Sequence, residues 1–312
     1  MAGTVLALVS TTAGFLAGIW LVFYGLFAMF GGSAPGLVAT LVTAGVLVGI
    51  GTLEYRQLET IERRADAYPV DEETAPEVYQ ITTRVAAQFG VPVPTIAISD
   101  RRTPEALAVG FRPGNVHLVL SLGTIDALSA AQLEAVIAHE LAHVKNRDAM
   151  VMTILSMPVV LAGGLRSRIE GPAVDDPNRG LFFLLPLMLV ANVFWVLGRT
   201  ITARLSRARE VAADRAAAEL TGSPATLASA LETLDREIEA RPTRDLREAS
   251  GISALSILPL EPRDLEDVLL GPEGDIEPSY GWLYRIERWL FDTHPPTSNR
   301  LEALSALEAD RE

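Results

Sequence analysis

The sequence has no cysteine, a single lysine (Lys145) and four histidines in 312 residues. The missing cysteine excludes disulfides, thiolate metal ligands and a cysteine nucleophile. Any metal must therefore be held by histidine and carboxylate. With lysine all but absent, arginine carries the positive charge, and 39 acidic against 26 basic residues give a formal net charge of −13. That balance, with no basic stripe interleaved with aromatics, argues against a nucleic-acid partner. Acidic excess with little lysine and abundant alanine fits a protein adapted to high salt, where the Debye length falls to about 3 Å and crowded carboxylates repel less. A GC-rich genome gives the same bias towards alanine and arginine, and the two explanations are compatible.

Charge is also missing from long stretches, the first charged side chain being Glu54. Hydrophobic residues make up 49% and the mean hydropathy is +0.27, so apolar and charged residues are segregated along the chain. Residues 4–30 and 37–53 are apolar runs separated by the turn sequence GGSAPG, which predicts a transmembrane hairpin over residues 1–53. A cleaved leader fits less well, because no basic region precedes the first run and the run is too long. Residues 149–165 and 180–198 are charge-free as well, each with one proline (Pro158, Pro186), and predict a second hairpin over 149–198, spanning or re-entrant. The expectation is about four transmembrane helices. Arg56, Arg63, Arg64, Lys145, Arg147, Arg199, Arg204, Arg207 and Arg209 flank the runs on one side, against Arg166, Arg168 and Arg179 on the other. The positive-inside rule then puts both termini and both polar stretches in the cytosol of a multi-pass protein of the cell membrane.

The polar stretches, 54–148 and 199–312, predict a mostly helical α+β catalytic domain with a small sheet or hairpin. APEVYQITTRVAAQFG reads as a helix closed by Gly90. PTIAISD reads as a strand, and ALAVGF with NVHLVLS as a β-hairpin around Pro113-Gly114. Ser129 and Gln132 form a capping box that opens a helix through AVIAHELAHVKNRD. Ser223 and Pro224 start another helix, residues 241–281 read as a long irregular segment, and a last helix covers roughly 297–310.

On a helix His139 and His143 are about 400° apart, so both imidazoles leave one face and can grip one ion. Glu140 is rotated about 100° from His139 and stands beside the ion, where it suits a general base. Taken alone, this motif also fits one turn of an ordinary helix. In SRAREVAAD, Glu210 and Asp214 are again four apart. Glu210 could be a third ligand and Asp214 could fix a histidine tautomer, or both could belong to a solvated helix face.

AHELAHVKNRD, SRAREVAAD and THPPTSNRLEAL, in this order and with an apolar hairpin between the first two, resemble the HtpX family of membrane-embedded zinc proteases over roughly residues 5–310. The resemblance implies one Zn²⁺ per chain held by His139, His143 and Glu210, with Glu140 as catalytic base. It implies a structural role for Asp214 near the zinc histidines and a place near the reacting carbonyl for His294. Its implied substrates are misfolded or damaged polypeptides, membrane proteins among them. It also implies an edge strand above the zinc that pairs with an extended substrate, here Asn115, Val116, His117, Leu118 and Val119. One position departs: where the family carries asparagine near the reacting carbonyl, PEALAVG has Glu105, and a carboxylate donates no hydrogen bond unless protonated. Three other readings stand beside this one. A CAAX prenyl endopeptidase would carry more spans, a metal-binding scaffold would not need Glu140, and a transporter would carry ionisable residues inside its spans.

Overall fold

The computed structural model describes residues 2–29, 34–58, 67–110, 114, 116–175, 181–240 and 290–310. The predicted irregular segment 241–281 and Asn115 lie outside them. The chain forms two compact units, one from Met1–Thr60 and Met152–Leu205, the other from Ile61–Val151 and Ser206–Glu312.

Among its described residues the first unit is helical: α1 (Ala2–Met29), α2 (Pro35–Leu58), most of α6 (Asp148–Asp175) and the first part of α7 (Leu181–Thr221). Phe15 and Ile19 of α1, Ala162 and Leu165 of α6, and Leu187 and Ala191 of α7 form its buried core. Glycines allow close approach. A Cβ on Gly198 would lie 2.7 Å from the Val159 side chain, and one on Gly14 2.9 Å from the Phe194 ring. Among the described residues two helices are long and apolar enough to cross a membrane, Val9–Met29 and Leu184–Thr221, and Pro35–Gly49 is a shorter apolar helix.

This packing corrects the charge tally in one place. The apolar run 149–165 is part of a longer helix, α6, which continues to Asp175. The guanidinium carbons of Arg166 and Arg199 also lie 4.7 and 5.1 Å from the Trp195 ring centroid. Both cations sit on one ring, so a hydrocarbon core of about 30 Å cannot separate them as the charge tally required. The run ended at Arg166 in sequence, but a helix has no reason to stop where its apolar stretch does.

The second unit is built on a four-stranded sheet in the order β1 (Ala67–Pro69), β2 (Thr95–Ser99), β4 (His117–Ser121), β3 (Ala106–Val109). β2 and β4 are parallel, and the outer pairs are antiparallel. Ile96, Ala106, Leu118 and Leu120 face the main core, made with α3 (Pro76–Phe89), α5 (Ala130–Lys145), the end of α7, α8 (Pro224–Glu239) and α9 (Thr297–Ala309). Ala97, Leu107 and Val119 pack on the other face. β4 is thus covered on both faces and paired on both sides. The expectation of an edge strand over 115–119 is corrected for its described residues: His117–Val119 lie in an interior strand, and the outer strands are β1 and β3. The uninterrupted Leu-Val-Leu of β4 is the pattern of an interior strand, whereas an edge strand with one wet face alternates.

Local signals were obeyed elsewhere. α3 ends on Gly90 at φ 69°, whose N–H turns back to Ala87 O. Short α4 (Leu122–Ala127) packs so tightly under the preceding loop that a Cβ on Gly123 would stand 2.0 Å from the Arg102 carbonyl oxygen. That contact fixes the loop leading to Glu105 and β3.

Candidate metal centre and active site

α5 opens on its capping box, Ser129 N–H donating to Gln132 Oε1 at 3.0 Å, and Gln132 Nε2 ties it to Ser229 of α8 at 2.9 Å. His139 and Glu140 are buried on this helix. α7 runs unbroken for 41 residues and brings Glu210 and Asp214 to the same place. Ahead of α9, Arg207 Nη1 donates to the Asp292 carbonyl and holds the segment that carries His294.

His139 Nε2 and His143 Nε2 are 3.2 Å apart, and the Glu210 carboxylate oxygens stand 3.5 Å from each of them. Ligands at about 2.0–2.1 Å from a tetrahedral ion lie roughly 3.3 Å from one another, so these spacings fit a single ion. The chemistry agrees. Glu210 Oε2 is buried with no hydrogen bond among the described residues, its ion-pair partner Arg300 Nη1 standing 3.7 Å away, and two imidazoles with a carboxylate are a ligand set that suits a divalent ion. His139, His143 and Glu210 are therefore able to hold a metal.

Carboxylates and arginines hold these groups from outside. Asp214 Oδ1 lies 2.9 Å from His139 Nδ1. The same carboxylate takes two bonds from Arg300, 2.8 Å from Nε and 2.5 Å from Nη2. Asp148 Oδ2 lies 2.6 Å from His143 Nδ1 and 2.6 Å from Arg209 Nη2. Burial works against the His139 cation, but Asp214 and Glu210 outweigh it and hold the ring up at about 9. Burial and the neighbouring His139 push His143 down to about 4. Burial also opposes the Glu210 anion, yet His139 and His294 keep it well below the usual carboxylate range. Glu140 is raised, chiefly by burial, and its Oε2 accepts the N–H of Ala108 on β3 at 3.0 Å. His294 is buried with both ring nitrogens lacking hydrogen-bond partners among the described residues, and its Nδ1 is 3.5 Å from Glu210 Oε2.

Residues 72–308 match the profile of Peptidase family M48. The chain belongs to that family. It is 33% identical to Protease HtpX homolog 2 of Methanosarcina acetivorans over 298 residues, 95% of this chain and 92% of that one. It is 34% identical to Protease HtpX homolog 1 of Streptomyces coelicolor over 246 residues, 77% and 74% of the two chains. Ste24p of S. mikatae superposes with a TM-score of 0.51 at 16% identity, covering 92% of this chain and 62% of that longer protein, a likeness of fold. This M48 peptidase is a membrane metalloprotease, a hydrolase of peptide bonds, as the resemblance implied.

Within the M48 site the structure brings together His139, Glu140, His143, Glu210, Asp214 and His294. Of residues 116–119, Val116 lines a cleft together with His143. Val116, Leu118 and Val119 are buried in the sheet and His117 is half-buried at the start of β4. Glu105 is buried with its carboxylate bonded to Arg101 Nη1 at 3.1 and 3.2 Å. Burial raises its pKa and Arg101 opposes the rise.

Sequence reading missed Asp148, Arg209 and Arg300. Asp148 closes the quoted histidine motif, and its spacing of five from His143 was the available signal. Asp148→Asn should weaken metal binding about 10–100-fold, the usual effect of losing a carboxylate behind a liganding histidine. Competition with a chromogenic chelator measures this, and an unchanged dissociation constant would remove Asp148 from the centre.

Proposed function

We propose that this chain is a zinc-dependent endopeptidase of the cell membrane that cleaves misfolded or damaged polypeptides, membrane proteins among them, in quality control. The observation that carries the reading is the set of three spacings among His139, His143 and Glu210. Zinc is the ion that this ligand set suits, with a fourth position left for water. Bound there, it would polarise the scissile carbonyl and lower the pKa of its water towards about 7. Glu140 accepts the proton of the attacking water and passes it to the leaving amine. Ala108 N–H keeps that carboxylate pointed at the site. His294 offers ring nitrogens to the developing oxyanion, and Asp214 orients His139. The substrate strand adds to the outer side of β3, where Ala108 N–H points away from β4 and already meets Glu140, so pairing uses the other outward groups of the strand. Arg101 holds Glu105, so the oxyanion depends on His294 at this end of the site.

His139 precedes α6 and Glu210 follows the apolar part of α7, yet their side chains are 3.5 Å apart. The chain therefore crosses the bilayer an even number of times between them. If α7 spans, α6 returns beside it. The catalytic unit and both termini then face the cytosol, the side to which Arg199, and with it Arg166, belongs.

The detergent-purified chain, stripped with chelator, should not cleave casein and should recover cleavage on adding one equivalent of Zn²⁺. Cleavage by the stripped protein at the full rate would sink the metalloprotease mechanism.

A further inference from the structure

Beside His143 of the metal group lies a small open cleft of about 30 Å³, lined by Ala108, Gly110, Val116, His143, Arg147 and Met150 among others. Its lining includes Ala108 of β3 and the metal-site His143, which puts it beside the place where a cleaved bond would lie. Arg147 is the feature of this cleft that the mechanism leaves unused. It occupies the turn between α5 and α6 at φ 55°, a left-handed conformation that costs a residue with a Cβ. Its backbone is pinned there by Arg147 N–H to Val144 O at 3.0 Å and Val151 N–H to Arg147 O at 3.1 Å. The side chain is exposed and has no hydrogen-bond or ion-pair partner among the described residues. The neighbouring cations are engaged: Lys145 lies 5.0 Å over the Phe89 ring, and Arg209 is bound to Asp148. Behind the cleft the buried carboxylates Asp148 and Asp214 are answered by the buried Arg209 and Arg300. Arg147 is left to meet an anion that comes from outside.

We propose that Arg147 makes this cleft a carboxylate-binding subsite, selecting an acidic substrate residue beside the cleaved bond; this rests on the reading of the site as a peptidase centre. A guanidinium pinned at its base presents a planar fork that matches a carboxylate in two parallel bonds, which lysine or a neutral donor does not. A lipid phosphate is the other anion near a membrane enzyme, but the position of Arg147 on the lining with His143 favours the substrate.

The test uses the full zinc-loaded chain in detergent and a pool of peptides with free and amidated C termini, cleavage sites being read by mass spectrometry. Matched Glu, Gln and Lys peptides then give kcat/KM. Wild type should favour Asp or Glu over Gln at one flanking position by about tenfold, mostly through KM. Arg147→Ala should abolish that preference, and Arg147→Glu should invert it towards Lys and Arg. Zinc content and thermal melting report whether the variants are folded. A preference kept with amidated peptides assigns the carboxylate to a side chain, and one confined to free termini assigns it to the chain end. Equal cleavage of Glu and Gln peptides by wild type overturns the subsite and leaves the peptidase reading standing. Cleavage of no peptide overturns both. A selectivity unmoved by Arg147→Ala, with loss of activation by anionic-lipid nanodiscs instead, would overturn the subsite in favour of a lipid headgroup.

Discussion

Glu140→Gln should lower peptide cleavage by about 10²–10⁴-fold, the range removed with a positioned general base, while zinc content stays at wild-type level. The substitution keeps the shape of the side chain, and the amide oxygen can still accept Ala108 N–H where the carboxylate does at 3.0 Å. What the amide cannot do is take a proton from the attacking water. Glu140 is 3% exposed, so bulk water offers no ready replacement. Its removal as an anion should also leave the fold intact, because burial already disfavours its charged form and neutral glutamine avoids that cost. Single-turnover cleavage of casein or a quenched peptide, beside metal analysis of the same sample, separates the outcomes. A wild-type rate would remove Glu140 as the base. A lost rate together with lost zinc would mean that it helps to hold the ion instead.

The legible part of this molecule was its local chemistry. Capping residues, Gly90 and the histidine spacing act within one or two helical turns, so the sequence alone places them. Glu210 was within reach because a second motif matched a family pattern. Three kinds of feature were not legible. Strand order depends on partners distant in sequence: β4 pairs with β2 across an intervening strand, and nothing in NVHLVLS names its neighbours except its unbroken apolar pattern. Membrane depth depends on which helices lie side by side. Arg166 looked like the end of a span because charge begins there, yet it shares Trp195 with Arg199. Partners of buried charges were hidden as well. Arg300 is 86 residues from Asp214 along the chain and fully buried against it, and an arginine near a C-terminal helix start otherwise reads as solvated surface.

Glu210→Ala is the substitution that should change metal binding most. It removes the only carboxylate among the three groups placed to hold the ion. Structural zinc sites bind with about 10–16 kcal/mol spread over their ligands, so losing one of them should cost roughly 100-fold or more in affinity. A second effect follows from charge. Glu210 and Asp214 together hold His139 protonated in the metal-free chain up to about pH 9, and an imidazolium cannot ligate. Uptake of zinc near pH 7 must therefore expel a proton, and the sign follows: affinity strengthens as pH rises towards 9 and weakens below it, by about tenfold per unit for one proton. Without Glu210, His139 keeps only Asp214 as an anionic partner, so its pKa falls and less proton is expelled. Calorimetric titration in buffers of different ionisation enthalpy measures both quantities at once. Wild type should release about one proton per zinc near pH 7, and the variant should bind weakly and release less. Unchanged affinity in Glu210→Ala would take Glu210 out of the metal centre. Unchanged proton release with weakened affinity would keep it as a ligand and assign the His139 proton to Asp214 alone.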